Sequence, residues 1–468
     1  MIARYTIPQI HWTNSASGSW TTDGNWTQGI EPNSFHDTLI DPATSLTVTA
    51  PTTNKTVKSL VLGGGGSGVA TLRLSGFGTG DLRALDATTI TPNGELVLEN
   101  GRTLSASLLA NGGVIHGTGT IHAPVVNERS GQIRVGSGER LVLTGVGNAN
   151  DGLIQVIGGE IEFTESLTNA VSTGLITARN ATLRFGGGLT NKGNLGISFG
   201  TSDVNGEIEN IGGITISGGS SATFYDDVTN RGTINVSAGS TAVFFGELSG
   251  SGVSGSGTVY LEGDARPGFS PGTMAFGGDL WFGPLATLEI EIGGPTPGTQ
   301  SDRLIVANSV SLAGTLDATT INGFAPTLPG QSFTIITAGS LSGMFHAVAG
   351  QPSRTLPGMF WDVTYTPTSA LLFTSAIPGD INLDGDVDRT DAALFSQYFG
   401  MKTGSIWTTG DFNGDAATTL NDWVLLRTHL GQSVPSPLES RAAAGVPEPA
   451  ASWLAVLALT LVTLRRRR

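Results

Sequence analysis

The chain has 468 residues, enough for two to four domains, and glycine is unusually frequent, with 68 residues. Only 13% of the residues are charged and none is cysteine, which excludes a disulfide framework, a thiol nucleophile and a cysteine-bound metal. The net charge of −14 disfavours nucleic acid as a partner. Frequent Gly, Thr, Val and Ile with little Lys predicts a mainly-β protein of short strands and tight turns.

Residues 1–54 open with three tryptophans, Trp12, Trp20 and Trp26, set among Ser, Gly and Asn. We predict an N-terminal cap in which these rings cover the first turn of the next domain; stacking on a sugar is the alternative use of the rings. The first twelve residues have neither the apolar run nor the cleavage site of a signal peptide. Since the C-terminal sequence described below predicts export, we expect the true start upstream of Met1.

Residues 55–265 contain a loose repeat of about twenty residues. It is marked by asparagines at intervals of 23, 19, 22, 19 and 20 residues: Asn127, Asn150, Asn169, Asn191, Asn210 and Asn230. Alternating apolar residues follow them, as in GITIS at Gly213 and GTINV at Gly232. One turn of a β-solenoid needs this length and alternation, so we predict a right-handed parallel β-helix of about ten turns. We expect the asparagines and glycines to take left-handed backbone conformations at its corners.

Residues 266–375 change in character and include the stretches PGFSPGT, GGDL, LEIEI and GTLD in that order. Together with the opening elements GNW and EPN, they resemble the passenger regions of autotransporters. The resemblance implies a β-helix body, a β-rich end segment and a location outside the cell.

The body offers few candidates for chemistry. Three pairs of glutamates at i and i+2 (Glu160 and Glu162, Glu207 and Glu209, Glu289 and Glu291) could perform acid/base work on glycosides, but their recurrence favours a solvated strand face. His116 and His122 lack a third metal ligand. The sequence therefore predicts no catalytic residues, although a site assembled only in space leaves little linear trace.

Residues 379–431 contain two acidic loops of twelve residues. Calcium takes six to eight oxygen ligands, and in the first loop the candidate ligands occupy positions 1, 3, 5, 7, 9 and 12: Asp380, Asn382, Asp384, Asp386, Asp388 and Asp391. The same positions of the second loop hold Asp411, Asn413, Asp415, Ala417, Thr419 and Asp422. Position 7 contributes its backbone carbonyl. Gly385 occupies position 6 of the first loop, where Ala416 stands in the second. Fewer carboxylates and the missing glycine predict one strong and one weaker calcium site.

Each loop precedes a predicted helix. The first helix spans DAALFSQYF and stops at Gly400, and the second carries an apolar stripe of Trp423, Leu426 and Leu430 and stops at Gly431. Two loops 31 residues apart, each followed but not preceded by a helix, resemble a type I dockerin module.

The resemblance implies paired half-EF-hands that bind calcium and dock onto a cohesin-like domain. Positions 10 and 11, which contact the partner in that family, are Arg389 and Thr390 in the first loop and Leu420 and Asn421 in the second. Because the two pairs differ, we do not expect a symmetric, reversible docking mode. The alternative is a calcium-stabilised end cap that docks to nothing.

Residues 432–446 read as a Pro-, Ser- and Ala-rich linker. Residues 447–468 then contain Pro447, Glu448 and Pro449, an apolar run of 15 residues and four arginines. This order resembles the PEP-CTERM sorting signal, which implies a short C-terminal transmembrane helix, held in the inner membrane until an exosortase-type enzyme cleaves near the motif. A plain tail anchor is the alternative.

These observations predict an exported protein of the cell envelope, cell surface or extracellular matrix. We expect a non-catalytic structural or adhesive body with a calcium-dependent docking module. The competing hypothesis is an extracellular polysaccharide-degrading enzyme, a lyase or hydrolase, tethered by its dockerin. Expected partners are an exosortase-type enzyme, a cohesin-like domain and an extracellular polysaccharide.

Overall fold

The computed structural model describes residues 9–51, 53–76 and 81–434. They form two compact units. The first contains the described residues up to Pro326, together with Gly330–Pro352 and Trp361–Thr374. The second contains Thr327–Pro329, Ser353–Phe360 and the chain from Ser375 onwards. The predicted sorting signal at residues 447–468 lies outside the described residues. Within the described ranges, no helix has the length and apolar character needed to cross a membrane.

The first unit is a solenoid of stacked parallel strands arranged on three faces. Its first face is a sheet of 16 strands: Ile10–His11, Asp37–Ile40, Ser59–Leu62, Thr88–Ile90, Leu109–Asn111, Val125–Asn127, Asn148–Asn150, Leu167–Asn169, Leu189–Asn191, Ile208–Asn210, Val228–Asn230, Leu248–Gly250, Ala265–Pro267, Thr287–Ile292, Thr315–Thr320 and Ala347–Ala349. Among the described strands, ten of these begin between residues 55 and 264, which confirms the predicted solenoid and its number of turns in that range.

Four long strands run around the corner between the second and third faces: Gly94–Ser105, Val114–His122, Arg303–Leu312 and Ser332–Gly343. The second face also contains Gly18–Ser19, Leu46–Thr49, Ala70–Leu74, Gln132–Val135, Leu153–Ile157, Leu175–Arg179, Asn194–Ser198, Gly213–Ser217, Thr233–Val236, Gly252–Val253 and Thr273–Phe276. The third contains Lys55–Val57, Leu82–Ala84, Arg140–Leu143, Glu160–Phe163, Thr182–Phe185, Thr201–Asn205, Ser221–Phe224, Thr241–Phe244, Thr258–Leu261 and Asp279–Phe282. Ser369–Ser375 pairs antiparallel with Ser332–Gly343, and Phe360–Tyr365 is a further strand.

Inward residues of successive turns stack on each other because the side chains alternate along every strand. Ile214 and Ile216 pair in register with Ile234 and Val236 of the next turn, and all four are buried. Stacking identical positions turn after turn fills one continuous apolar core, which is how a solenoid without disulfides stabilises itself.

A second internal stack consists of asparagine side chains at the ends of first-face strands. In each, Nδ2 donates to Oδ1 of the next, at 2.7–2.8 Å, along the series Asn111, Asn127, Asn150, Asn169, Asn191, Asn210 and Asn230. All seven are at most 1% exposed, and none has a positive φ. The predicted reason for the asparagines is therefore wrong: they satisfy one another's buried amides across turns instead of adopting left-handed corners.

The parallel stack crosses both predicted boundaries of the repeat region. Before the first boundary, at residue 54, Ile10 already pairs with Thr38 of the next turn. At the second boundary, Ala265 pairs with Leu248 of the preceding turn and with Leu288 of the following turn. The inward alternation simply continues, for example through Leu288 and Ile290. Residues 10–54 and 266–349 thus add turns to the solenoid.

The three early tryptophans lie inside the first turns. Trp12, Trp20 and Trp26 are 7%, 0% and 2% exposed, and the ring of Trp26 contacts the other two with centroids 5.1 and 4.9 Å away. Short 3-10 segments, Asp23–Asn25 and Thr27–Gly29, flank Trp26. Because the rings are enclosed, their faces are not available to stack on a sugar.

The second unit contains two helices, α1 (Arg389–Tyr398) and α2 (Leu420–His429), and the 3-10 turn Trp407–Thr409. Both helices end before a left-handed glycine, Gly400 and Gly431, as the sequence predicts. Its small core contains Ile381, Val387, Phe395, Phe412 and Leu426. Leu430 does not join the predicted apolar stripe of α2: it is the C-cap residue and 52% exposed.

Candidate metal centre

The two acidic loops of the second unit have the same backbone scaffold, fixed by carboxylates at positions 1 and 12. In the first loop Asp380 accepts the amides of Asp384 and Gly385 at 3.1 and 3.0 Å. Asp391 accepts those of Ile381 and Asp388 at 3.0 and 2.8 Å. Both carboxylates are 0% exposed.

The second loop repeats these bonds position by position. Asp411 accepts the amides of Asp415 and Ala416 at 3.2 and 2.8 Å, and Asp422 accepts those of Phe412 and Thr419, both at 2.9 Å. The two loops are therefore one structural design used twice, despite the sequence differences at positions 6 and 9.

Positions 3 and 5 form a matching outward pair in each loop. The Asn382 carbonyl oxygen accepts the amide of Asp384 at 3.0 Å, and its Nδ2 donates to Asp384 Oδ2 at 2.7 Å. The corresponding distances between Asn413 and Asp415 are 2.9 and 3.1 Å. Asp384, Asn413 and Asp415 are exposed, and Asn382 is half-buried.

Position 9 caps the helix that follows each loop. The Asp388 side chain accepts the Thr390 amide at 2.6 Å, and the Thr419 hydroxyl accepts the Asn421 amide at 3.2 Å. Each cap forms a reciprocal capping box with the carboxylate at position 12. The loss of a carboxylate at position 9 in the second loop therefore leaves the helix start intact.

Each loop contains two left-handed residues, at positions 4 and 6, and only one of each pair is glycine. In the first loop these are Leu383 (φ 59°) and Gly385 (φ 100°). In the second loop the order is reversed, with Gly414 (φ 75°) and Ala416 (φ 65°). The predicted sharp turn at position 6 is thus present in both loops, and in the second it is made by an alanine. The left-handed Leu383 gave no signal in the sequence.

The buried carboxylates of the first loop lack a positive partner. Burial raises the pKa of Asp380 to about 6, and the charges of Asp391 and Asp384 add to the effect. Burial likewise raises the pKa of Asp391. Among the described residues, no Lys, Arg or His forms an ion pair with either. Carboxylates and amide carbonyls are the hard oxygen ligands that calcium prefers, so the donor set fits a calcium ion.

The side chains of both loops are engaged with backbone amides. Within the described residues, no group of three or more His, Asp or Glu side chains is placed to hold a metal ion as it stands. The side chains of Asp384, Asp386 and Asp415 are exposed to solvent. The backbone carbonyls of Asp386 and Ala417 and the hydroxyl of Thr419 complete the candidate donors.

Each loop is paired with the end of the helix that belongs to the other loop. Val387, at position 8, pairs with the chain beyond α2 through Gly431 and Gln432, with N–O distances of 2.8 and 2.9 Å. Thr418, its counterpart, pairs with Gly400 and Met401 beyond α1, at 2.9 and 2.8 Å. The Val434 amide also donates to Gly385. The predicted linker from residue 432 thus begins within the folded unit, because residues 432–434 hold the first loop.

A segment distant in sequence covers the first loop. The Gly358 amide donates to the Leu383 carbonyl at 3.0 Å, and a Cβ atom at Gly358 would lie 2.2 Å from the Asp380 carboxylate. Met359 packs in a small apolar cluster with Leu383. Sequence reasoning missed this contact, since nothing in the pattern of residues 353–360 indicates an acidic loop as neighbour.

The predicted docking residues Arg389, Thr390, Leu420 and Asn421 are all exposed at the starts of the two helices. Leu420, 66% exposed, also borders an apolar groove between α1 and α2. The groove is lined by Ala392, Phe395, Ser396, Phe399, Leu420 and Trp423. Of the four predicted docking residues, Leu420 alone lines this groove.

Six of the eight candidate side chains of the body form local ion pairs or hydrogen bonds. Glu160 and Glu162 form ion pairs with Arg140, Glu209 pairs with Arg231, and Glu289 pairs with Arg266. His116 hydrogen-bonds Glu95 at 3.1 Å and His122 hydrogen-bonds Thr144 at 2.6 Å, so the two histidines have different partners. These contacts are those of a solvated strand face with ion pairs between turns.

Comparison with known proteins agrees with the geometry of the loops. Residues 378–431 match the family model of the dockerin type I domain. A comparison with curated proteins finds no match. Dockerin domains generally bind calcium and dock onto cohesin domains. The chain therefore combines a β-solenoid body with a dockerin type I domain at residues 378–431.

Proposed function

We propose that this protein acts outside the cell as a non-catalytic structural or adhesive solenoid, and that residues 378–431 attach it to a cohesin-like domain when calcium is bound. The observation that supports this function best is the duplicated loop. The two loops have the same hydrogen bonds, and each contains buried carboxylates that form no ion pair with a basic side chain of the described residues. Each loop is followed by a helix whose first residues are exposed. Such an arrangement couples the ion to the position of the docking helices.

Docking is asymmetric in this proposal. Leu420 borders the apolar groove, whereas Arg389 and Thr390 do not line it. Side chains in well-packed, fully desolvated pockets dominate most protein interfaces, so the α2 side, where Leu420 and Trp423 line the groove, should contribute most of the affinity. The two ends of the module therefore should not exchange roles.

A pull-down of the full chain on an immobilised type I cohesin, with calcium or with a chelator, tests the proposal. We expect retention only with calcium. Leu420→Ala should weaken it by about tenfold, whereas Val424→Ala, 55% exposed on α2 but outside the groove, should not change it. Retention in chelator, or failure to bind any cohesin while calcium still binds, would favour the alternative of a calcium-stabilised end cap.

Export and processing form a separate part of the proposal. The sequence of residues 447–468 supports cleavage near Pro447, Glu448 and Pro449 by an exosortase-type enzyme, with transient insertion in the inner membrane. Intact-mass measurement of the protein recovered from the host envelope tests this. Glu448→Ala should leave the C-terminal segment attached.

The polysaccharide-degrading enzyme remains the alternative function. The recurring glutamate pairs of the body do not favour it, because each pair has at least one carboxylate in an ion pair with arginine. Incubation with neutral and acidic polysaccharides, followed by measurement of new chain ends, distinguishes it from a non-catalytic body.

A further inference from the structure

A strip of large apolar side chains lies on the outer surface of the third solenoid face. Its members, which we call the aromatic strip, are Tyr225, Val243, Phe245, Tyr260 and Trp281. Tyr225, Phe245 and Trp281 are 45%, 51% and 45% exposed. Exposed apolar groups clustered in this way mark interaction surfaces more often than single exposed residues do.

The strip follows the direction in which the turns stack. The rings of Tyr225 and Phe245 stack with centroids 5.6 Å apart, and those of Tyr260 and Trp281 with centroids 6.0 Å apart. Val243 pairs in register with Tyr260, and Tyr260 with Trp281. The strip thus crosses four successive turns and is long and narrow.

The same face has a different surface in the preceding turns. There Glu160 lies between two arginines, with Arg184 Nε at 2.8 Å and Arg140 Nε at 3.2 Å, so the charges neutralise one another. The strip contains no Lys or Arg. Arg184, the cation whose charge acts on Tyr225, is paired with Glu160.

One carboxylate at the edge of the strip has no such partner. Glu262 follows Tyr260 by two residues on the same face, and its carboxyl group lies over Gly283, where a Cβ atom would be 2.1 Å from Oε2. Partial burial raises its pKa. In the described structure no basic side chain pairs with it. Tyr225 adds a second polar group, since its hydroxyl donates to Asp203 at 3.3 Å.

We propose that the aromatic strip binds a neutral polysaccharide lying along the solenoid. A sugar ring presents C–H groups that pack on aromatic side chains and hydroxyl groups that donate to carboxylates such as Glu262. An anionic ligand is disfavoured because Asp203 and Glu262 border the strip, while Arg184, the cation on the same face, is already paired with Glu160. An extended polymer suits a surface that continues over four turns better than a compact ligand does.

This site lies wholly within the solenoid unit and goes beyond the proposed docking by residues 378–431. The two can be tested separately, because polysaccharide binding should persist in chelator, whereas docking should not. A failure of polysaccharide binding would therefore leave the proposed docking function untouched, and the reverse holds as well.

The test is retention of the full chain, in chelator, on insoluble cellulose, mannan and chitin, with alginate as the anionic probe. We expect retention on at least one neutral polymer and none on alginate. Trp281→Ala and Phe245→Ala should each weaken binding by about tenfold. Phe199→Ala is the matched control, since Phe199 is 53% exposed but packs under Arg179 outside the strip. Glu262→Gln, which keeps the side-chain shape, should weaken binding severalfold.

Thermal unfolding of each variant shows whether the solenoid is intact. No retention on any neutral polymer, preference for alginate, or equal losses in the strip variants and in Phe199→Ala would overturn the proposal. Light scattering measures whether the chain self-associates. If it self-associates, if Trp281→Ala abolishes this and if no polysaccharide binds, the strip mediates contacts between copies of the chain instead.

Discussion

The alanine at position 6 of the second loop provides a sharp test of how the loops are built. Ala416 has φ 65°, a conformation that costs an L-residue about 1–2 kcal/mol. Its amide donates to Asp411 at 2.8 Å, and its carbonyl accepts the Ser405 amide at 3.0 Å. A glycine at this position keeps both bonds and removes the strain.

The gain is partly offset in the unfolded chain, where glycine has more conformations to lose, by about 0.4–1 kcal/mol. We therefore expect Ala416→Gly to stabilise the second loop by about 0.5–1 kcal/mol. Gly414→Ala is the reciprocal change. Gly414 has φ 75°, and an added Cβ atom meets nothing within 4 Å, so backbone strain alone should destabilise the loop by a similar amount.

Hydrogen exchange on the full chain measures the effect locally. Protection of the α2 amides should rise about two- to fivefold in Ala416→Gly and fall by a similar factor in Gly414→Ala. In calcium titrations, Ala416→Gly should also tighten the weaker site. A neutral Gly414→Ala, or a destabilising Ala416→Gly, would refute the account of the left-handed positions.

Three further predictions concern the buried polar groups. Asn169→Ala leaves an Asn150 donor and an Asn191 acceptor unpaired. The free energy of unfolding of the solenoid, measured with denaturant, should therefore fall by about 2–4 kcal/mol. Asn205→Ala, at an outward and partly exposed position, should change it little. Burial raises the pKa of Asp302 to about 6, above its usual 3.8. Its carboxyl group therefore holds a proton more tightly when folded, so stability should fall as pH rises from about 4 to 6. Asp302→Asn should make this slope shallower, with Asp380 supplying part of what is left. Calcium calorimetry should resolve two unequal sites, with Asp380→Asn abolishing the tighter and Asp411→Asn the weaker; two equal sites would contradict the sequence comparison of the loops.

The sequence predicts the structure correctly wherever a short pattern of residues repeats. The alternation in GITIS and GTINV predicts the inward Ile214 and Ile234, and the spacing from Asp380 to Asp391 predicts the loop that the dockerin match confirms. The asparagine spacing predicts the correct corner positions, but the physical reason is the side-chain ladder and not a left-handed backbone. A backbone preference and a side-chain ladder give the same period, and only the hydrogen bonds separate them.

The aromatic strip has a signature in the sequence. Strand side chains alternate, so two adjacent aromatic residues place one ring inside the solenoid and one outside. This is the case for Phe224–Tyr225, Phe244–Phe245 and Trp281–Phe282. Neighbouring aromatics in a predicted strand thus signal an outward ring, and their recurrence near the repeat length signals a strip.

By itself the sequence determined the two acidic loops of the dockerin domain, because all candidate ligands of each loop lie within twelve consecutive residues. It also determined the solenoid, because one short pattern recurs turn after turn. The tertiary structure alone decided that Gly358 covers the Asp380 loop and that residues 431–434 pair with it. It also decided that early tryptophans are enclosed while later aromatics face solvent. These contacts join residues far apart in the chain, and their energy depends on how whole elements pack, so no local pattern records them.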